Sequence, residues 1–214
     1  MKAFFLHLIS FLFPETCVVC GKGNVSVCEK CLQNFPLAPY QEDPWVHSLF
    51  SYQDHGVRNA IHALKFKHMR SVADCFAPLM HEAIQEIQAT NIALHEQMKI
   101  ALLPVPKMKA HVRVRGFDAM EYLCNKIHEQ DPLCYKVCGN AVVRLNNKAQ
   151  TGLTRKERLV NMHNAFEVIL PAMLANQTIY IIDDVTTTGS TLRELEKVCL
   201  QAGAKKVRAV TIAH

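Results

Sequence analysis

The chain has 214 residues, 50% of them hydrophobic and 20% charged, with a formal net charge of +5 and 11 His. That length suits one globular domain with a small appendage, and no internal repeat, low-complexity tract or long linker is present, which excludes repeat arrays and disordered tails. The positive balance favours anionic ligands; nucleic acid is allowed by it but not required.

Residues 1–13 are apolar apart from Lys2, His7 and Ser10. The run falls short of the roughly 20 residues that span a bilayer. No small-x-small cleavage site precedes Pro14, which argues against a signal peptide. The segment is expected to form a short helix on the protein's own surface, with contact to a membrane surface as the alternative.

Four of the 9 cysteines follow as Cys17-x2-Cys20 and Cys28-x2-Cys31. Two such knuckles so close together can set four thiolates tetrahedrally around Zn²⁺, in a closed and structural site. Gly21 and Gly23 stand where the first knuckle needs a tight turn. Two disulfides or free thiols are the other readings. The remaining Cys75, Cys124, Cys134, Cys138 and Cys199 are scattered and read as small buried hydrophobes. An odd total argues against a secreted disulfide scaffold, so a reducing, cytoplasmic location is expected, with the inner face of the membrane as a variant. Residues 1–35 thus read as the apolar segment plus a zinc-ribbon-like module. Pro36, Pro39 and Pro44 mark the connection to a main domain over 45–214.

In that domain, alternation predicts a strand over 47–52, broken by Gly56. Val57, Ala60, Ile61, Leu64 and Phe66 fit the apolar face of a helix. Lys65, Lys67, His68 and Arg70 cluster at its end, either as a solvated terminus that complements the helix dipole or as a contact to an anion. A second helix is expected over 72–87, with Pro78 inside it. The stretch 100–105 reads as a buried strand running into Pro104-Val105-Pro106-Lys107. Arg113 and Arg115 follow; they are solvated, or they make bidentate contacts to phosphate oxygens. Asp118 and Glu121 make a capping box for a helix over 119–129. Short strands are expected at 142–145 and 166–170. Between them lies a basic stretch around Gln150 to Arg158, with Thr154 and Glu157 as a second cap, readable as a mobile lid or as a solvated helix.

The stretch from Ile179 to Thr191 organises the chain. A β-branched strand over 179–182 gives way to Asp183-Asp184, then to a hydroxyl-rich turn with one glycine, then to a helix over 192–202 with Gly203 at its end and a closing strand over 207–213. In an open parallel sheet, ligands sit beyond the carboxyl ends of strands. Backbone N–H groups at a helix N-terminus favour an anion, and Gly189 permits close approach. Carboxylates accept hydrogen bonds from sugar hydroxyls but repel phosphate. A phosphorylated ribose fits this arrangement. A Walker A loop is excluded, because Ser190 and not Lys follows Gly189. A dinucleotide fingerprint needs more glycines and an acidic residue about 20 residues downstream. An ordinary capped turn remains the bland alternative. Strands and helices alternating at this spacing predict a doubly wound α/β domain.

The run from Ile179 to Thr191 resembles the phosphoribosyl pyrophosphate (PRPP) loop of type I phosphoribosyltransferases. Add the four-Cys knuckle, Ile61-His62-Ala63-Leu64-Lys65-Phe66, Pro104-Val105-Pro106, Arg115-Gly116-Phe117-Asp118, and Gln150-x-Gly152-Leu153 with Arg158 and Asn161. Together they resemble the ComF family (ComFC and GntX-like proteins) over nearly the whole chain. Asp118 is a departure, since relatives often carry Asn there. The resemblance implies a type I phosphoribosyltransferase-like parallel sheet flanked by helices, with a zinc-bearing N-terminal module. It implies Asp183 and Asp184 as catalytic residues on the ribose hydroxyls. It places Thr186, Thr187, Thr188, Gly189, Ser190 and Thr191 around the 5′-phosphate, and Lys107, Arg113 and Arg115 on the pyrophosphate, which Mg²⁺ accompanies. It also implies a role in natural transformation, the uptake of single-stranded DNA, with competence-machinery proteins and single-stranded DNA as partners. Two functions of different class stay open. One is a phosphoribosyltransferase of unknown acceptor; the other is a non-catalytic module that seats a nucleic-acid phosphate or a partner at the same place.

Overall fold

The computed structural model describes residues 15–39, 45–67, 69–89, 99–108, 117–145 and 165–214. The N-terminal apolar segment, Arg113, Arg115 and the basic stretch around Gln150 to Arg158 lie outside the described residues.

Five parallel strands form the central sheet, in the order β1 (Val46–Phe50), β7 (Lys206–Ala213), β6 (Thr178–Val185), β2 (Ile100–Pro104), β3 (Tyr135–Val137). A separate antiparallel pair joins β4 (Val142–Arg144) to β5 (Phe166–Val168). The parallel α/β class is as expected. Parallel strands need crossovers, and the crossovers cover both faces of a sheet with helices, so its central strands run apolar without alternation. Strand β6 is buried at every position from Thr178 to Asp184.

Alternation along the strands sorts the core into two layers. Ile100, Leu102, Tyr180, Ile182, Val210 and Ile212 face α2 (His55–Phe66), α3 (Arg70–Ala89) and α4 (Ala119–Gln130). Ala101, Leu103, Ile179, Ile181 and Ala209 face α5 (Ser190–Gln201) and the β4–β5 pair. Asp54 caps α2 by accepting from the Val57 N–H at 2.9 Å. Asp118 caps α4 by accepting from the Met120 and Glu121 N–H groups at 2.9 and 3.3 Å.

Several expectations are corrected. The strand at the centre extends through both acids to Val185 instead of stopping at Ile182. Gly56 does not break a strand; it lies inside α2, close beneath the zinc-ribbon-like module, where an added Cβ would meet Phe35 and Val19 at 3.0 Å. Phe66 leaves the buried face and is 51% exposed. Pro78 sits within α3, which nevertheless runs unbroken from 70 to 89. Strand β3 and the short α1 (Glu29–Gln33) had no counterpart in the sequence reading; three and five residues are too few to show a period. No helix among the described residues is long and apolar enough to cross a membrane.

Candidate functional site

The first knuckle is a tight hairpin. Thr16 bridges Gly23, the Cys17 N–H donates to the Lys22 carbonyl at 2.7 Å, and Gly21 takes φ +76°. The second left-handed position falls on Asn24, φ +68°, and not on Gly23. Cys28 stands at the start of α1 and Cys31 within it. The Sγ atoms of Cys17, Cys20, Cys28 and Cys31 all lie within 4.8 Å of one another. Cys20 and Cys28 are 3.7 Å apart, close to the roughly 3.8 Å edge of a tetrahedron with 2.3 Å Zn–S bonds. A disulfide would need about 2 Å, and all nine cysteines are free. Burial pushes the Cys17 thiol up, but the Cys28, Cys20 and Val19 N–H groups outweigh it and bring the thiol down to about 6. A thiol so placed is ready to bind as thiolate. The donor set fits Zn²⁺, and its four protein sulfurs would leave no open position.

The second constellation lies at the carboxyl ends of β6 and β2. Alternation sends Asp184 to the side of Tyr180 and Ile182, toward α2, and Asp183 to the opposite side. Both are covered: 8% of Asp183 and 3% of Asp184 are exposed. Among the described residues, their charged partners are lysines. Lys65, at the end of α2, reaches Asp184 Oδ1 at 2.8 Å. Lys107, just beyond β2, lies 3.4 Å from Asp184 Oδ2 and 3.8 Å from Asp183 Oδ1. The backbone helps: the Asp184 N–H donates to Asp183 Oδ1 at 2.9 Å, and the Val185 N–H to Asp184 Oδ1 at 2.7 Å.

The titration of the cluster is uneven. Burial works against the charge on Lys107, but Asp184, Asp183 and Asp118 outweigh it and hold the ammonium above the ordinary lysine value. Burial, then the charge of Asp184, pushes the Asp183 carboxyl up to about 6, against the pull of Lys107 and Lys65. One partner is held charged while the other is pushed toward neutral. The distances resolve this, because Lys107 hydrogen-bonds Asp184 and not Asp183.

Beyond the acids the chain turns sharply. The Thr186 N–H donates to the Ala213 carbonyl, and Thr186 is buried at 6% exposure. Thr187, Thr188 and Ser190 are exposed; Gly189 and Thr191 are half-buried. Gly189 caps α5 at φ +69°, and a Cβ there would meet nothing within 4 Å, so the mouth of the turn is open. Ser190 Oγ accepts from the Thr188 hydroxyl at 3.1 Å, which ties the turn together.

Of the residues expected at the site, the structure brings Asp183, Asp184, Lys107 and the 186–191 turn to the end of β6, with two additions. Lys65, weighed as a solvated cation or an anion contact, pairs with Asp184. Its signal was in the spacing: it stands four residues after the buried Ile61, at the margin of the apolar stripe, where a cation needs a carboxylate partner. The second addition is a cleft of about 130 Å³ between Pro104–Lys107, Asp118, Glu121, Gly139 and Val142–Arg144, which shares Lys107 with the acid pair.

No family model matches the chain. A protein called DNA utilization protein YhgH from Salmonella typhi is 29% identical over 199 residues, 90% of this chain and 81% of its own length. Its namesake in Escherichia coli K12 is 29% identical over 185 residues, 85% of this chain and 74% of its own. Competence protein F of Haemophilus influenzae is 24% identical over 235 residues, 94% of this chain and 98% of its own. Solved structures overlap more loosely. The allosteric regulatory enzyme of purine biosynthesis gives a TM-score of 0.44 at 13% identity, covering 71% of this chain and 30% of that one. A hypoxanthine phosphoribosyltransferase from Trypanosoma cruzi gives 0.41 at 11% identity, covering 65% of each chain.

Proposed function

We propose that this protein is a ComF-type chain whose α/β domain binds PRPP with Mg²⁺ and transfers its phosphoribosyl group to an acceptor; a relative named Competence protein F supports the family reading. The supporting observation is the β6–α5 turn. An open, glycine-hinged helix start with exposed Thr187, Thr188 and Ser190 adjoins a carboxylate pair and its lysines. Phosphate suits the helix start, and sugar hydroxyls suit the carboxylates. Attack at the anomeric carbon as pyrophosphate leaves develops positive charge on the sugar and negative charge on the leaving group. Positioning and charge neutralisation are then the protein's main contributions. Lys107 is assigned to the leaving group while it keeps its hold on Asp184, and Arg113 and Arg115 are assigned there from the sequence. Mg²⁺ supplies charge neutralisation at the diphosphate. The cleft beside Lys107 is assigned to the acceptor; Glu121 and Asp118 on its wall accept hydrogen bonds from an N–H-bearing group.

Relatives named for competence and for DNA utilization support a role in DNA uptake; single-stranded DNA and competence proteins are the partners this reading assigns. One surface favours nucleic-acid contact without chemistry as a second reading. The Arg70 guanidinium lies over the Phe117 ring at 5.0 Å and the Tyr122 ring at 5.6 Å, with Lys126 also over Tyr122 at 5.6 Å. Mixed cationic and aromatic side chains suit single strands.

Calorimetric titration with PRPP and Mg²⁺ tests the seat, and pyrophosphate release across a panel of bases tests the transfer. Saturable binding with release for one base is the expected result. Binding without release for any base favours the non-catalytic module. No PRPP binding, together with salt-dependent single-strand binding, overturns the sugar reading.

A further inference from the structure

We propose that Lys65 is a positioning residue of the sugar seat: it clamps Asp184 from the α2 side and leaves Asp183 as the carboxylate that meets the ligand's hydroxyls. This rests on the reading above that a phosphorylated sugar binds at this turn.

The two acids are adjacent but differently occupied. Asp184 Oδ1 takes the Lys65 ammonium at 2.8 Å and the Val185 N–H at 2.7 Å, while its Oδ2 takes Lys107 at 3.4 Å. Both oxygens are therefore engaged. Asp183 Oδ1 accepts the Asp184 N–H at 2.9 Å, and Lys107 stands at 3.8 Å, beyond hydrogen-bond reach. Among the described residues, Asp183 Oδ2 takes neither a hydrogen bond nor an ion pair. The Asp183 side chain is also the more accessible, 12% against 5%.

The clamp is held from behind. Ile61 and Leu64 are fully buried beneath α2, so the backbone that carries Lys65 is fixed. Lys65 itself is 24% exposed, so its side chain pairs with Asp184 without being sealed in the core. A carboxylate with both oxygens taken by cations and backbone is a poor acceptor for an incoming hydroxyl. A carboxylate with one oxygen open is a good one. Lys65 then acts on the ligand through Asp184: it fixes the strand end from which Asp183 projects, and its charge favours ionised Asp183, against which Asp184 works and with which Lys107 also sides.

The test combines ligand binding with melting for Lys65→Met, Lys65→Arg, Asp183→Asn, Asp184→Asn and the double variant Lys65→Met/Asp184→Asn. In PRPP titrations with Mg²⁺, Asp183→Asn should lose binding by about a hundredfold or more and Lys65→Met by about tenfold. The acid limb of binding against pH should move upward in Lys65→Met and return in Lys65→Arg, a change that a purely structural lysine would not produce. Without ligand, Lys65→Met should melt below wild type, and the double variant should melt no lower than Asp184→Asn, because removing both partners of a covered pair costs less than stranding one. Wild-type affinity with an unmoved acid limb in Lys65→Met overturns the proposal, as does a double variant whose melting loss is the sum of the single losses. If wild-type protein binds no PRPP, the sugar reading falls and takes the role of Asp183 with it, while the melting cycle still decides the Lys65–Asp184 clamp.

Discussion

The four-cysteine module and the turn after β6 each gather groups that repel one another when ionised, and each solves the problem differently. The module brings four thiols within 4.8 Å, a set that a cation from outside could hold. The turn brings together two carboxylates and supplies its own cations, Lys65 and Lys107, from two other elements. The surroundings differ to match. The module offers few deeply buried groups, with Cys17, Val27, Cys28 and Phe35 the main ones, whereas β6 lies in the middle of the sheet between β7 and β2. A cluster neutralised from outside can be emptied and lose its shape. A cluster neutralised from within keeps its shape when empty, and any ligand would meet its resident lysines.

The sharpest way to break this comparison is to remove the metal. If the module holds a structural metal, chelation, or Cys28→Ser, should abolish local order over 15–35 and leave the sheet intact, because the metal would supply the module's folding energy. Hydrogen exchange should show complete loss of protection there and none in β6 or β7. Loss of protection in both would show that the two regions fold as one. A smaller effect concerns Asp183. Its carboxyl, raised from 3.8 to about 6, binds a proton more tightly when folded, so this group's contribution to stability is fully present below about pH 4 and is lost as pH rises through 6. Asp183→Asn keeps an acceptor for the Asp184 N–H, and at pH 8 it should be more stable than wild type by on the order of 2 kcal/mol, with the gap closing near pH 4. A variant less stable at pH 8 would mean that Lys107 holds the Asp183 carboxylate in a net favourable pair after all. The smallest effect belongs to Gly189→Ala. There is room for the methyl group, but φ is +69°, so the cost should be about 1 kcal/mol of left-handed strain. Melting curves measure that cost, and phosphate titration shows whether the helix start has shifted.

The sequence carried the centre of the fold well and its margins poorly. A continuous β-branched run followed by two acids and a glycine turn permits few structures, so β6 and α5 were legible to within a few residues. The second left-handed position of the knuckle was not, because Asn24 tolerates that conformation though it has a side chain, and nothing nearby singles it out. Strand β3 was invisible for a different reason. Tyr135, Lys136 and Val137 are extended because Ile100–Leu102 lie alongside, a tertiary cause with no local trace. Lys65 was visible as a residue but not as a partner, since a strand more than a hundred residues away provides its carboxylate.

Helix α2 joins the two regions in a way that neither shows alone. Its first turn presses Gly56 against Val19 and Phe35, and its last turn delivers Lys65 to Asp184. Nine residues of helix separate these points, a rod of about 14 Å that resists bending. A bulkier residue in place of Gly56 would act as a wedge, and the rod would pass that push along its axis to the ammonium at its far end, so an injury beside the sulfurs would be felt at the acids.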